Sequence, residues 1–270
     1  MNLTSEMQRY QKIQQLAYQA VTEARAQLKV GMTEIEAARI VDEFFLSKGH
    51  DLFFHRAFAW FGDRTAFKGF KRPEETLDLG QAFMPSEKKL EANMPVILDV
   101  APSVDGHAVD IGYSFFFGEN LAHQEARLLL KKFRALILKL AQERRPISYI
   151  YQAVENLVKE SGFKNCHDLY PLGVLGHRIG KLPFLGLPKL NLRRFAPQSY
   201  AYLAKQSLFG STVMKANETR PLSQGLWAIE PHFGNDQFGV KFEEILVVEK
   251  DRVYWLDENL PHITEVLAHS

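Results

Sequence analysis

The chain has 270 residues, of which 46% are hydrophobic and 24% charged, and its formal net charge is +1. This composition provides enough apolar side chain for a buried core and excludes an intrinsically disordered chain. The near-neutral charge gives no general reason to expect nucleic acid or an anionic membrane as a partner, because both select concentrated positive charge.

The N-terminus and the single cysteine bear on the compartment. Residues 1–15 lack the apolar stretch of a signal peptide, and no run approaches the roughly eighteen apolar residues of a membrane span. Cys166 excludes an internal disulfide and is typical of a reducing compartment. We interpret it as an ordinary semi-buried thiol; the alternative, a nucleophile, would need His167 as its base. These features predict a cytoplasmic protein.

Two helices are predicted first along the chain. Residues 5–28 carry apolar side chains at helical spacing. Thr33 followed by Glu36 makes a capping box that opens a second helix, which runs through Phe45 and ends near Gly49. Together the two segments predict a helix hairpin.

A region of predicted strands follows. Residues 52–70 are aromatic and β-prone, with a turn at residues 62–63, and predict short strands. Residues 96–100 predict a buried strand that contains Asp99, and residues 105–106 a hairpin turn. The returning strand, residues 108–117, contains Asp110. The two aspartates are therefore expected on paired strands.

The second half of the chain repeats this order. Helical periodicity at residues 123–141 and 147–161 is followed by predicted strands around 177, 227–230, 240–248 and 253–256. The order predicts an internal duplication, although the halves share no visible sequence identity. Residues 181–223 form a long irregular stretch, interpreted either as a substrate lid or as a packed surface excursion or oligomer contact.

Four carboxylates and one imidazole form the candidate metal site. Asp99 interrupts an apolar strand, which propensity and burial both disfavour. Asp110 beside it would repel it unless cations lie between them. Glu230 and Glu243 also adjoin apolar strand residues, and His177 adds a nitrogen ligand. Each acid could instead be satisfied by arginine, lysine or backbone donors, but the whole set suits two divalent ions that share a bridging water.

The order and flanks of these residues resemble the pita-bread metallopeptidase family, which includes methionine aminopeptidase, aminopeptidase P, prolidase and creatinase. The family's metal ligands match Asp99 in Ile-Leu-Asp-Val-Ala, Asp110 in Val-Asp-Ile-Gly-Tyr-Ser-Phe, His177 in Leu-Gly-His-Arg-Ile-Gly, Glu230 in Glu-Pro, and Glu243. The resemblance spans essentially the whole chain. It implies an α/β (α+β) pita-bread fold, a pseudo-symmetric curved antiparallel sheet backed by two helix pairs, in a single domain, residues 1–270, without the extra N-terminal domain of prolidase-like members.

The resemblance also implies a dinuclear site and a reaction. Asp110 and Glu243 would bridge two ions (Mn, Co, Fe or Zn), Asp99 would chelate one, and His177 and Glu230 would complete the other. The implied activity is that of an aminopeptidase, for Xaa-Pro or similar peptides. In that reaction a hydroxide held between the ions would attack an amide carbonyl, and Glu230 would shuttle the proton.

The chain departs from the family at three histidines around the metals. The positions that would hold them carry Gly69 or Ala82, Gly173, and Phe184. Losing one positioned donor to a tetrahedral intermediate commonly costs about 10²–10³ in rate, so these absences bear directly on peptide cleavage.

Two other histidines are candidate substitutes. His55 precedes the aspartate hairpin and His232 directly follows Glu-Pro, so both are predicted catalytic residues beside Glu230, with a buried structural histidine as the alternative for each.

Two alternative functions stay open. The missing histidines and residues 181–223 favour a creatinase-like C–N hydrolase of a small molecule. A non-catalytic binding module on the same fold is disfavoured because all five ligands are retained. The expected partner is a peptide or small amide, neither nucleic acid nor a membrane, and a homodimer is predicted because two-fold dimers are the commonest oligomers.

Overall fold

The structure, a computed structural model, describes residues 3–75, 80–183, 194–208 and 210–267. Its α-helices are α1 Ser5–Gln27, α2 Glu34–Leu46, α3 Leu121–Gln142, α4 Ile147–Glu160, α5 Pro197–Ser207 and α6 Pro261–Leu267. Its strands are β1 Leu52–Phe61, β2 Met94–Val104, β3 His107–Ala108, β4 Ile111–Phe117, β5 Lys164–Asn165, β6 Gly176–Ile179, β7 Val213–Met214, β8 Gly225–Ile229, β9 His232–Gly234, β10 Gly239–Val248 and β11 Val253–Trp255.

An antiparallel sheet forms the centre of the molecule. Its main path within the described ranges runs β1-β2-β4-β10-β8-β6-β7, and every neighbouring pair is antiparallel. Strand β10 joins the two halves, since it pairs with β4 at Phe242 and Glu243 and with β8 from Glu244 to Val248. The two halves of the chain therefore meet at Glu243.

The first helix pair forms as the sequence predicts. Thr33 caps α2 through the predicted capping box, in which the Thr33 side chain accepts from the Glu36 backbone and the Glu36 carboxylate accepts from the Thr33 backbone. The buried side chains of α1 and α2 join those of β1, β2 and β4 in one hydrophobic cluster. This cluster supports the side of the sheet that carries the aspartate hairpin.

The second helix pair is also confirmed. The buried faces of α3 and α4 pack with side chains of β8, β10 and β11 in a separate hydrophobic cluster. The predicted order of helix, helix and strands therefore occurs twice, with each helix pair covering its own part of the sheet.

The predicted aspartate hairpin is confirmed. Asp105 and Gly106 both have positive φ, 50° and 79°, as a tight two-residue turn between right-twisted strands requires. The register pairs Asp99 with Gly112, and Asp110 lies immediately before β4. Both aspartates are buried, at 3% and 0% relative exposure.

Two predictions about irregular regions were wrong. The range 52–70 contains a single ten-residue strand, β1, in place of several short ones. A 3₁₀ turn, Gly62–Ala66, follows within the same range, because Gly62 adopts a φ of 62° that ends the strand. The stretch 181–223 contains helix α5 and strand β7. Pro197 stands at the first turn of α5, where its fixed φ favours a helix instead of breaking it.

Candidate metal centre

The five predicted ligands converge in the middle of the sheet, and His55 joins them. Asp99 lies in β2, His177 in β6 and Glu243 in β10, while Asp110 precedes β4 and Glu230 follows β8. Their donor atoms fall into three overlapping groups, each within 4.8 Å: His55, Asp99 and Asp110; Asp110, His177 and Glu243; and Asp99, Glu230 and Glu243. We call these the His55, His177 and Glu230 groups.

His55 lies against both aspartates. Its Nε2 is 3.1 Å from each carboxylate oxygen of Asp110 and 3.5 Å from Asp99 Oδ1, and its Nδ1 donates to the Arg56 carbonyl at 3.0 Å. Burial alone would lower the pKa of His55, but Asp110 and Asp99 outweigh it and raise that pKa to about 9. The structure thus places the predicted His55 in the cluster; its catalytic role stays a prediction.

His177 approaches Asp110 from the other side. Its Nε2 is 3.2 Å from Asp110 Oδ2 and 3.8 Å from Glu243 Oε1, and its ring stacks on Phe54 at 5.2 Å. Its Nδ1 donates to the Arg178 carbonyl, which leaves Nε2 to face the carboxylates. A backbone carbonyl that holds one ring nitrogen is the usual way to orient a metal-binding histidine.

Asp110 lies between the two imidazoles. Burial would raise its pKa, but the contacts with His55 and His177 prevail and lower it. Asp110 is therefore held in its charged form, as a metal ligand requires.

Lys241 is the residue that sequence reasoning missed. Its Nζ donates to Asp99 Oδ2 in a close contact, and to Glu230 Oε2 and Glu243 Oε2 at 3.0 Å each. Burial would lower the pKa of this fully buried amine, but the carboxylates raise it well above its usual value. The sequence carried a signal, because Lys241 stands two residues before Glu243 on a strand and so shares its face.

The two glutamates complete the site. Burial is the largest cause that raises the pKa of Glu230 and of Glu243, with neighbouring carboxylates adding to it and Lys241 opposing it. Within the described part of the chain, Glu243 Oε1 is buried and has no hydrogen-bond partner. A buried carboxylate oxygen without a donor is costly unless something binds it. The His177 group, which this oxygen faces, therefore fits a divalent cation.

His232 makes its hydrogen bonds outside the three groups of candidate ligands. It lies opposite Lys241 in the β9–β10 pair, and its Nε2 donates to the Thr65 carbonyl at 2.6 Å. Its Nδ1 lies 3.2 Å from the Tyr170 hydroxyl, which can donate to it. Burial lowers the pKa of His232 well below its usual value, so the ring is neutral. His232 thus supports Tyr170, whose ring centroid lies 5.1 Å from Lys241 Nζ.

The other candidates named from the sequence are Cys166 and Phe184. Cys166 is buried, its Sγ donates to the Ala66 carbonyl, and burial raises its thiol pKa to about 12, as an inert structural thiol requires. Phe184, the proposed replacement of one family histidine, lies outside the described residues. No helix within the described ranges is long and apolar enough to cross a membrane.

Comparison with known proteins supports the resemblance. The model of metallopeptidase family M24 matches residues 8–250. A search of curated proteins gives no match. An X-Pro aminopeptidase from Thermotoga maritima has a similar structure, with a TM-score of 0.67 and 17% identity, over 94% of this chain and 61% of its own.

Two further solved structures extend the comparison. The prolidase from Pyrococcus horikoshii gives a TM-score of 0.62 at 17% identity, covering 96% of this chain and 65% of its own. A methionine aminopeptidase from Rickettsia prowazekii gives 0.58 at 14% identity, covering 95% and 98%. The chain thus spans less than two thirds of the first two proteins and nearly all of the third. These likenesses confirm the predicted pita-bread fold.

Proposed function

The chain belongs to metallopeptidase family M24, and on that premise we propose that it is a metal-dependent hydrolase of the aminopeptidase type that cleaves an amide bond. The observation that carries the proposal is the buried Glu243 Oε1, which has no donor among the described residues and faces Asp110 and His177. Family membership supports a hydrolase, and this orphaned oxygen supports a metal ion as its missing partner.

The residues that would hold an ion are Asp110, His177 and Glu243. A divalent ion bound there would polarise a carbonyl and acidify water. Two of these side chains are already suited to an ion before it binds, because the Arg178 carbonyl orients His177 and the two imidazoles keep Asp110 charged. Mn, Co, Fe and Zn all suit such a mixed oxygen and nitrogen set.

Glu230 is the group we propose to move the proton. Burial and the neighbouring carboxylates raise its pKa, which brings a carboxyl closer to the range in which it can both accept and release a proton near neutral pH. Its Oε2 accepts from Lys241 at 3.0 Å, so the amine fixes the orientation of the carboxylate. His55, buried beside Asp110, is proposed to supply a donor near the reacting carbonyl.

Xaa-Pro or similar short peptides are the proposed substrates. One support is the structural likeness to a protein named X-Pro aminopeptidase and to prolidases. The other is that the cluster is largely buried, since His177, the most exposed of its side chains, has only 14% relative exposure. A cytoplasmic location, a single domain over residues 1–270 and a homodimer stay predictions.

The test combines metal content with cleavage. Protein purified without chelator and incubated with Mn²⁺ or Co²⁺ is analysed for bound metal and assayed on a panel of Xaa-Pro, Met-Xaa and other peptides. Asp110→Ala should lose the metal and all cleavage, whereas Asp251→Ala, at an exposed position, should keep both. Bound metal without cleavage of any peptide would refute the peptidase and leave small C–N substrates, such as those of creatinase, as the next panel.

A further inference from the structure

We propose that the ammonium group of Lys241 takes the place of a metal ion in the Glu230 group, so that this chain binds one ion, in the His177 group, where the sequence predicts two. The inference rests on the proposed function only for the ion that remains. Of the two neighbouring positions, a divalent ion can enter the His177 group and not the Glu230 group.

Lys241 already binds the oxygens that an ion in the Glu230 group would need. Its Nζ contacts one oxygen from each member of the Glu230 group: Asp99 Oδ2, Glu230 Oε2 and Glu243 Oε2. An ion bound by the same three oxygens would lie about 2.0–2.6 Å from each of them. It would therefore overlap the amine and, at such short range, repel its charge.

The sheet leaves space for the Lys241 side chain. A Cβ added to Gly112 would lie 2.5 Å from Lys241 Cε and 3.2 Å from its Nζ, so glycine leaves the room the lysine occupies. The backbone of Lys241 is fixed from the same strand as Gly112: its N–H donates to Ser114 Oγ and its carbonyl accepts from that hydroxyl, each at 2.7 Å.

The Lys241 amine is enclosed by the protein. The Lys241 side chain has 0% relative exposure, and the ring of Tyr170 covers it, with the centroid 5.1 Å from Nζ. Tyr170 in turn is held by His232. An ion that entered the Glu230 group would have to drive a charged amine into these surroundings, which is strongly unfavourable without a new partner.

The His177 group differs in the state of its Glu243 oxygen. Glu243 Oε1 has no donor among the described residues, whereas Glu243 Oε2 accepts from Lys241. The two oxygens of a single carboxylate therefore separate the two positions: one is taken by the lysine and the other is left for an ion.

The experiment measures metal per chain by elemental analysis after saturation with Mn²⁺ and removal of free ion. Wild type should hold about one ion, Lys241→Ala about two, and Lys132→Ala, an exposed lysine on α3, about one. Electron paramagnetic resonance provides a second readout, since isolated Mn²⁺ gives a six-line spectrum and neighbouring ions a coupled one. Wild type should show the first and Lys241→Ala the second.

Two results would overturn the inference: two ions with a coupled spectrum in wild type, or no gain of metal in a folded Lys241→Ala. If that variant does not fold, the wild-type count and spectrum still decide. The outcome is separate from that of the proposed function, because a chain that gains an ion on losing Lys241 and yet cleaves no amide supports the inference and refutes the peptidase.

Discussion

At the scale of single residues, a glycine and a lysine on neighbouring strands of the sheet depend on each other. Gly112 pairs with Asp99 on one side and with Glu243 on the other, at the centre of the candidate metal ligands. Lys241 occupies the volume that a side chain at this position would fill. The glycine and the lysine therefore form a matched pair, and the effect on stability of substituting one of them should depend on the other.

A Gly112→Ala substitution tests this pairing. We expect the free energy of unfolding to fall by about 1–3 kcal/mol, the usual cost of overpacking, because the new Cβ would lie 2.5 Å from Lys241 Cε. In a Lys241→Ala background the same substitution should cost at least about 1 kcal/mol less. Urea denaturation of the four proteins in this cycle measures the difference. Equal costs in both backgrounds would show that the two residues do not share the space.

A second prediction at this scale concerns His123, the third residue of α3. Burial and then Arg127 lower its pKa to about 3, so the ring is neutral in the folded chain. Between about pH 3 and its ordinary pKa of 6.5, the unfolded chain binds a proton that the folded chain does not. Stability is therefore complete above pH 6.5 and is lost as the pH falls below it, by about 2 kcal/mol between pH 7 and pH 5.

Replacing this histidine should flatten the pH profile. His123→Phe removes the proton-binding group while keeping a ring between Phe116 and Phe238. Urea denaturation at pH 7 and pH 5 should show a smaller loss than in wild type, by about 2 kcal/mol. The half-buried His50 provides the matched control, and His50→Phe should keep the wild-type loss. An unchanged profile in His123→Phe would contradict the prediction.

At the scale of elements, most of the architecture could be predicted because its signals are local. The Thr33 capping box, the glycine turn at residues 105–106 and the periodicity of the four long helices each depend on neighbours within a few residues. The convergence of the five candidate ligands could be predicted because carboxylates in apolar strands need a partner. The contact of Lys241 with Asp99, 142 positions away, joins β10 to β2, and no local pattern fixes such a pairing.

Two features depend on tertiary structure instead: the helix that begins at Pro197 and the direction of the His232 side chain. Pro197 opens α5, yet a proline-rich stretch favours the interpretation of an irregular loop unless the position of each proline within a helix is known. His232 follows the Glu-Pro pair at the sequence level, but β9 directs it toward Thr65 and Tyr170. In both cases the residue type was informative, and its direction depended on tertiary structure.

Helix α1 supplies polar groups to β10 at the point where that strand changes partners. The Tyr18 hydroxyl donates to the Glu243 carbonyl at 2.7 Å, and Gln14 Oε1 accepts from the Ile245 N–H at 2.9 Å. These two side chains hydrogen-bond to backbone groups of the buried strand at and beside Glu243, where an unpaired polar group would be costly. The helix therefore fixes the strand that carries Glu243 and Lys241.

Tyr18→Phe should weaken this support. Removing the hydroxyl leaves the buried Glu243 carbonyl without its donor, and we expect a loss of about 1–2 kcal/mol in the free energy of unfolding. The matched control is Tyr149→Phe, since Tyr149 is 50% exposed and its change should cost almost nothing. Thermal or urea unfolding distinguishes the two. Equal stability of both variants would mean that the contact contributes nothing.

At the scale of the whole molecule, the candidate metal centre lies where the two repeated halves meet. Asp99 and Asp110 come from the first half, and His177, Glu230 and Glu243 come from the second. An ion in the His177 group would bind Asp110 of one half and His177 of the other at once. Metal binding is therefore expected to stabilise the folded chain as a unit, because the unfolded chain holds these ligands far apart.

We therefore predict that Mn²⁺ stabilises the fold only when the candidate ligands of both halves are present. With free Mn²⁺ at about 100 times its dissociation constant, the free energy of unfolding of wild type should rise by about 2.7 kcal/mol. Asp110→Ala and His177→Ala remove one ligand from each half, and each should abolish the rise; the controls Asp251→Ala and His50→Ala should keep it. Urea denaturation with Mn²⁺ and with chelator measures all five proteins. If one ligand variant kept the full rise, the ion would be held within one half, and the proposed placement between Asp110 and His177 would be wrong.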